Sequence, residues 1–139
     1  MKKIIILVLG ILLTASTIQA TEVPHAIEQA FQQKFPSAKK VKWEKEKNND
    51  YEASFILDGK EVSASYSPDA QLKETETEIS VSELPKAVVD ALNKKHPGSK
   101  IGEAAKIERS NNSVVYEAEL KIKGKKTDLL FDENGNETK

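Results

Sequence analysis

Thr21–Lys40 reads TEVPHAIEQAFQQKFPSAKK, and Ser82–Ile101 reads SELPKAVVDALNKKHPGSKI. The two align without a gap, with identities at Glu22/Glu83, Pro24/Pro85, Ala26/Ala87, Ala30/Ala91, Lys34/Lys95, Pro36/Pro97 and Lys39/Lys100. After a four-residue insertion in the second copy, YEASFILDGKEVSASYSPDA from Tyr51 aligns on YEAELKIKGKKTDLLFDENG from Tyr116. The shared Tyr-Glu-Ala and Gly-Lys fix that register. A period of roughly sixty residues is longer than those of the common solenoid repeats, so the pattern describes one supersecondary unit written twice rather than an array.

Each copy opens as a helix. Ala26, Ile27, Ala30 and Phe31, and their counterparts Ala87, Val88, Ala91 and Leu92, fall on one apolar stripe. Thr21 or Ser82 is placed to cap, a proline is tolerated in the first turn because that N–H has no intrahelical partner, and Pro36 or Pro97 ends the helix. Alternating segments follow: Val41 and Trp43 among lysines, then Tyr51, Ala53, Phe55 and Leu57, then Val62, Ala64 and Tyr66. The second copy repeats the scheme with Tyr116, Ala118, Leu120 and Ile122, then Leu129 and Phe131, and LDGK and IKGK are read as the tight turns between paired strands. The expectation is an α+β fold in which two helix-plus-antiparallel-meander repeats share one sheet, with helices on one face and Glu, Lys and Ser on the other. A unit of about sixty residues would bury too little surface alone to be robust, which argues for the shared sheet.

The first twenty residues differ from the rest. MKKIIILVLGILLTASTIQA carries Lys2 and Lys3, an apolar run from Ile4 to Leu13, and small or polar residues up to Ala20. This is the three-part pattern of a secretory signal peptide, and the first copy begins at Thr21, where such a leader would end. The expected organisation is therefore a leader at 1–20, a first repeat at 21–80 and a second at 81–139. Loss of the leader removes two lysines and no acid, leaving 19 basic against 22 acidic residues and a net charge of about −3. Lysine mixed with glutamate throughout lacks the basic footprint of a nucleic-acid binder. There is no cysteine, so the core alone must stabilise the fold.

Candidate chemistry is sparse. With no cysteine, only His25 and His96, and no serine in a G-x-S-x-G turn, no catalytic constellation stands out, and the chain reads as a non-enzyme. His25 falls in the first turn of its helix and His96 at the end of its own. DENGNE, Asp132–Glu137, has its glycine at the fourth place rather than the sixth of a calcium loop and reads as a hairpin turn, so no metal and no cofactor is expected. KETETEIS, Lys73–Ser80, puts Glu74, Glu76 and Glu78 on one face of an extended segment and Thr75, Thr77 and Ile79 on the other. Polar residues on both faces mark it as an edge strand or a connection, defended by charge or used for recognition, and Lys121–Lys126 is a run that could neutralise it if the fold brings the two together.

Taken together, VPHAIEQAFQQKFPSAKKVKWEKE, the YEASFILDGKEVSASYSPDAQLKETETEI that follows, LPKAVVDALNKKHPG and YEAELKIKGKK resemble the tandem PepSY-like, β-lactamase-inhibitor-like family exported by bacteria of the Bacteroidetes type. The resemblance spans residues 21–139. It implies an αβ-repeat fold similar to β-lactamase inhibitory protein, a periplasmic or secreted location, and binding or inhibition of another protein such as an envelope peptidase or other hydrolase. It implies no catalytic residues. His96 replaces the Phe of the Phe-Pro motif in the second copy, and no Trp matches Trp43 there, so an aromatic-dependent interaction would belong to the first copy. The candidate protein-binding residues are Trp43, Glu74, Glu76 and Glu78. A carrier for a small ligand or cation, held between helices and sheet, is the alternative.

Overall fold

The computed structural model describes residues 22–138, so the leader expected at 1–20 lies outside the described residues. The same order of elements occurs twice. Helix α1 (His25–Lys34) is followed by strands β1 (Lys39–Lys45), β2 (Tyr51–Leu57), β3 (Lys60–Tyr66) and β4 (Leu72–Ile79); helix α2 (Lys86–Lys95) is followed by β5 (Ile101–Arg109), β6 (Val114–Ile122), β7 (Lys125–Phe131) and β8 (Glu137–Thr138). All eight strands form one antiparallel sheet in chain order. Both helices pack on the same face of it, as the alternation of apolar residues requires.

Under α1, Ile27, Phe31 and Phe35 meet Tyr51, Ala53, Phe55, Val62, Ala64 and Tyr66. Under α2, Val88 and Leu92 meet Leu84, Ala104, Ala118, Leu120 and Phe131. The first core is aromatic: Phe31 lies 4.9 Å from Phe55 and 5.2 Å from Trp43, both edge-on, a geometry in which ring edges meet ring faces favourably. The second core is mainly aliphatic. Register shows why: Trp43 pairs with Ala53, and at the equivalent place Ala104 pairs with Ala118.

The turns repeat as well. Asp58-Gly59 and Lys123-Gly124 all have positive φ and join strands paired at Leu57/Lys60 and Ile122/Lys125, the two-residue turn that matches strand twist. Asp132–Glu137 is a turn into β8, in which the Asp132 side chain accepts from the backbone N–H groups of Asn134 and Asn136, each at 2.9 Å. The Asn136 side-chain amide, which donates to Asp132 Oδ2 at 2.9 Å, and then those backbone bonds hold the Asp132 carboxyl below its usual range.

Two expectations are corrected. The helix caps are not Thr21 and Ser82: Pro24 and Pro85 stand at the N-cap positions, Thr21 falls outside the described residues, and Ser82 lies inside a 3₁₀ turn, Val81–Glu83. That turn is itself closed by Ser80, whose N–H donates to Glu83 Oε2 at 2.7 Å in a capping box. More consequential, KETETEIS is neither an edge nor a connection. It is most of β4, which pairs with β3 and β5 and joins the two halves at the middle of the sheet. Its two polar faces have separate causes. Thr75 and Thr77 lie between the two helix-packed cores, where register places Lys106 and Glu108 beside them as an ion pair at 3.0 Å. The glutamates lie on the face without helices. Lys73 secures the start of the strand by pairing with the buried Asp50, which Asn48 also bonds at 2.6 Å.

Candidate functional site

The helix-free face is where the unusual chemistry lies. Strand alternation brings Glu52 of β2, Glu74, Glu76 and Glu78 of β4, and Glu117 of β6 onto it, together with Asp128 of β7. Between them sit Ala105, Ile107 and Val115, which are buried although among the described residues no helix covers this side. Glu76 pairs with Ser63 on one side and Ile107 on the other, and Ile107 in turn pairs with Val115. Burial this complete on an uncovered face means that neighbouring side chains lean over the aliphatic floor.

Glu76 is only 7% exposed and has no hydrogen bond or ion pair among the described residues. Its carboxyl is pushed up to about 8 by burial first, and then by the carboxylates of Glu117, Glu52, Glu74 and Asp128. Glu117 is pushed up to about 7, again by burial first and then by Asp128, Glu119, Glu103 and Glu74. Glu52 and Asp128 are raised from their ordinary values for the same two reasons. The cations nearby are already engaged. Arg109 lies 3.6 Å from Glu74, and Lys126 lies 2.9 Å from Glu119 and 3.7 Å from Glu103. Within the lysine-rich run it is Lys126 that forms ion pairs among the described residues, with Glu119 and Glu103 and not with the glutamates of KETETEIS.

Of the four residues singled out from the sequence, Glu74 and Glu76 belong to this cluster. Glu78 shares their face but is exposed. Trp43 lies on the opposite side of the sheet, packed against Phe31 and Tyr66, and it lines a groove of about 450 Å³ with Phe35, Pro36 and Val41. The sequence reading missed Glu52, Glu117, Ile107 and Val115. The shared Tyr-Glu-Ala was the available signal, because its central glutamate is Glu52 in one copy and Glu117 in the other. Among the described residues no group of three or more His, Cys, Asp or Glu is arranged to hold a metal ion. The cluster can hold protons near neutral pH and attract a positively charged group.

A family model described as "Putative beta-lactamase-inhibitor-like, PepSY-like" matches residues 12–58 and 51–139, and the chain belongs to that family. A BLIP-like protein from Bacteroides fragilis is 30% identical with a TM-score of 0.72, over 85% of this chain and 84% of that one. A DUF2874 family protein from Bacteroides uniformis superposes with a TM-score of 0.77 at 20% identity, over 85% and 88% of the two chains. A protein from Bacteroides eggerthii, described as a "putative periplasmic" protein, reaches 0.75 at 19% identity, over 85% and 87%. No curated protein matches the chain. Among the described residues no helix is long and apolar enough to cross a membrane.

Proposed function

We propose that the protein is a non-enzymatic binding module, exported after loss of residues 1–20 and built of repeats at 21–80 and 81–139, which holds another protein against the helix-free face of its sheet. The observation that carries this reading is a sheet face that carries a crowd of carboxylates, the buried Glu76 among them, and that no helix covers among the described residues. An envelope hydrolase is the partner class that the family's inhibitor-like description favours. Export is supported by the leader pattern and by the periplasmic description of the B. eggerthii relative.

The test passes an envelope extract over the immobilised protein and over Leu130→Arg and Glu78→Arg variants, which alter the rim of the face at half-buried and exposed positions. A Lys94→Ser variant on α2 is the control. Retention of a protein by wild type and control but not by the face variants fits the reading. Equal retention by all four moves the binding surface elsewhere.

A further inference from the structure

Charge on this molecule is segregated. Strand register places ten carboxylates and five cations on the helix-free face. The whole chain carries a net charge of only −1, so this face is strongly negative and the remainder is net positive. Of its cations, Arg109 and Lys126 are committed to Glu74, Glu103 and Glu119. Glu76, at the middle of the sheet, is 7% exposed and unpartnered among the described residues, with Ile107 across from it.

Burial and the surrounding carboxylates make it costly for Glu76 to lose its proton, and that cost falls when a cation arrives with hydrogen bonds. Lysine and arginine suit the place because a long side chain can reach a recessed carboxylate and make a charge-assisted hydrogen bond to it. We infer that the helix-free face docks a basic, extended segment of a partner protein, which sets an arginine or lysine head between Glu76 and Glu117. This rests on the binding-module reading above and adds to it the chemistry of the partner. A bare metal ion is a poorer fit, since no ligand group for one is arranged there among the described residues.

Two capped peptides test it on the 15N-labelled protein: Arg-Val-Arg-Val-Arg, and the same peptide with citrulline, a neutral isostere, at each arginine. The arginine peptide is expected to shift the amides of Glu76, Ile107, Val115 and Glu117 and to bind at least tenfold more tightly than the citrulline peptide. Glu76→Gln is expected to weaken it at least tenfold, and Glu133→Gln, the same charge change in an exposed turn, less than twofold. If both peptides shift these amides with equal affinity, the face docks chains without reading charge: the inference falls and the binding-module reading stands. If Glu133→Gln weakens binding as much as Glu76→Gln, the attraction is general and the inference falls. It falls also if shifts appear only on the helices or β1, or if self-association without peptide perturbs the face, in which case a second copy is the occupant. If, separately, the face variants of the capture experiment retain every partner, the underlying reading fails with it.

Discussion

Glu76 on β4 stands directly opposite Ile107 on β5, on the sheet face that neither helix covers. A carboxylate facing an aliphatic side chain, with further carboxylates beyond it, keeps its proton to unusually high pH. In the unfolded chain Glu76 titrates near the ordinary 4.5, whereas in the fold it titrates near 8. Between those values the folded state binds more protons than the unfolded state, so stability falls as pH rises from about 4.5 to about 8 and then levels off. Glu117 adds to the fall up to about 7. Chemical denaturation at pH 5.5 and pH 8.5 is expected to show the protein less stable at the higher pH, by on the order of 3 kcal/mol. Glu76→Gln is expected to remove most of that difference by raising stability at pH 8.5. An unchanged pH slope in the variant would mean that Glu76 is solvated.

How far the sequence reaches depends on whether a residue's surroundings are local. The helices, the positive-φ turns at Asp58-Gly59 and Lys123-Gly124, and the shared sheet all follow from patterns within one copy or from the repeat between copies. The place of β4 did not follow. Thr75 and Thr77 look like solvent-facing residues because they lie between two cores, a boundary that exists only once both helices have docked. The carboxylate cluster was half legible for a similar reason. Glu74 and Glu76 are neighbours along one strand, while Glu117 reaches them only because β5 pairs with both β4 and β6.

Trp43 and Glu76 lie on opposite faces of the sheet, so their variants should separate stability from binding. Trp43 is half-buried against Phe31 and Tyr66 in the first core, and the equivalent place in the second core holds Ala104. Trp43→Ala is expected to cost about 1–3 kcal/mol, less than the ~3–5 kcal/mol of a fully buried aromatic, and to leave capture of a partner unchanged. Urea unfolding and the extract experiment provide the two readouts. Loss of capture at full stability would put Trp43 in the binding surface.

Gly59 and Gly135 have nearly the same backbone, with φ of +82 and +80, but different surroundings. A Cβ on Gly59 meets nothing within 4 Å, whereas one on Gly135 would come within 2.4 Å of the Ala87 carbonyl oxygen at the start of α2. Gly59→Ala is expected to cost about 1–2 kcal/mol, the penalty of a left-handed alanine. Gly135→Ala must also push α2 off the β7–β8 turn, so it is expected to cost at least 1 kcal/mol more, in the overpacking range. Thermal unfolding of the two variants compares them directly; equal losses would show that the turn moves freely away from the helix.

Tyr66 and Phe131 occupy matching ends of β3 and β7, opposite Tyr51 and Tyr116, and differ by one hydroxyl. Tyr66 is 1% exposed, and its hydroxyl has no hydrogen-bond partner among the described residues, which leaves a buried donor unsatisfied, while burial pushes its ionisation up to about 12. A polar group buried without a partner costs about 1–3 kcal/mol, whereas the phenyl ring beneath it packs near Phe31 and Trp43 regardless of the oxygen. Tyr66→Phe therefore writes into the first copy what the second already has at Phe131. It is expected to be neutral or to stabilise the fold by up to about 1 kcal/mol, against the usual destabilisation by a core substitution. Urea unfolding of the variant beside Phe131→Tyr, which places a hydroxyl in the second core, decides the point: a loss at Tyr66 matching the loss at Phe131 would show that the Tyr66 hydroxyl is paired through an ordered water.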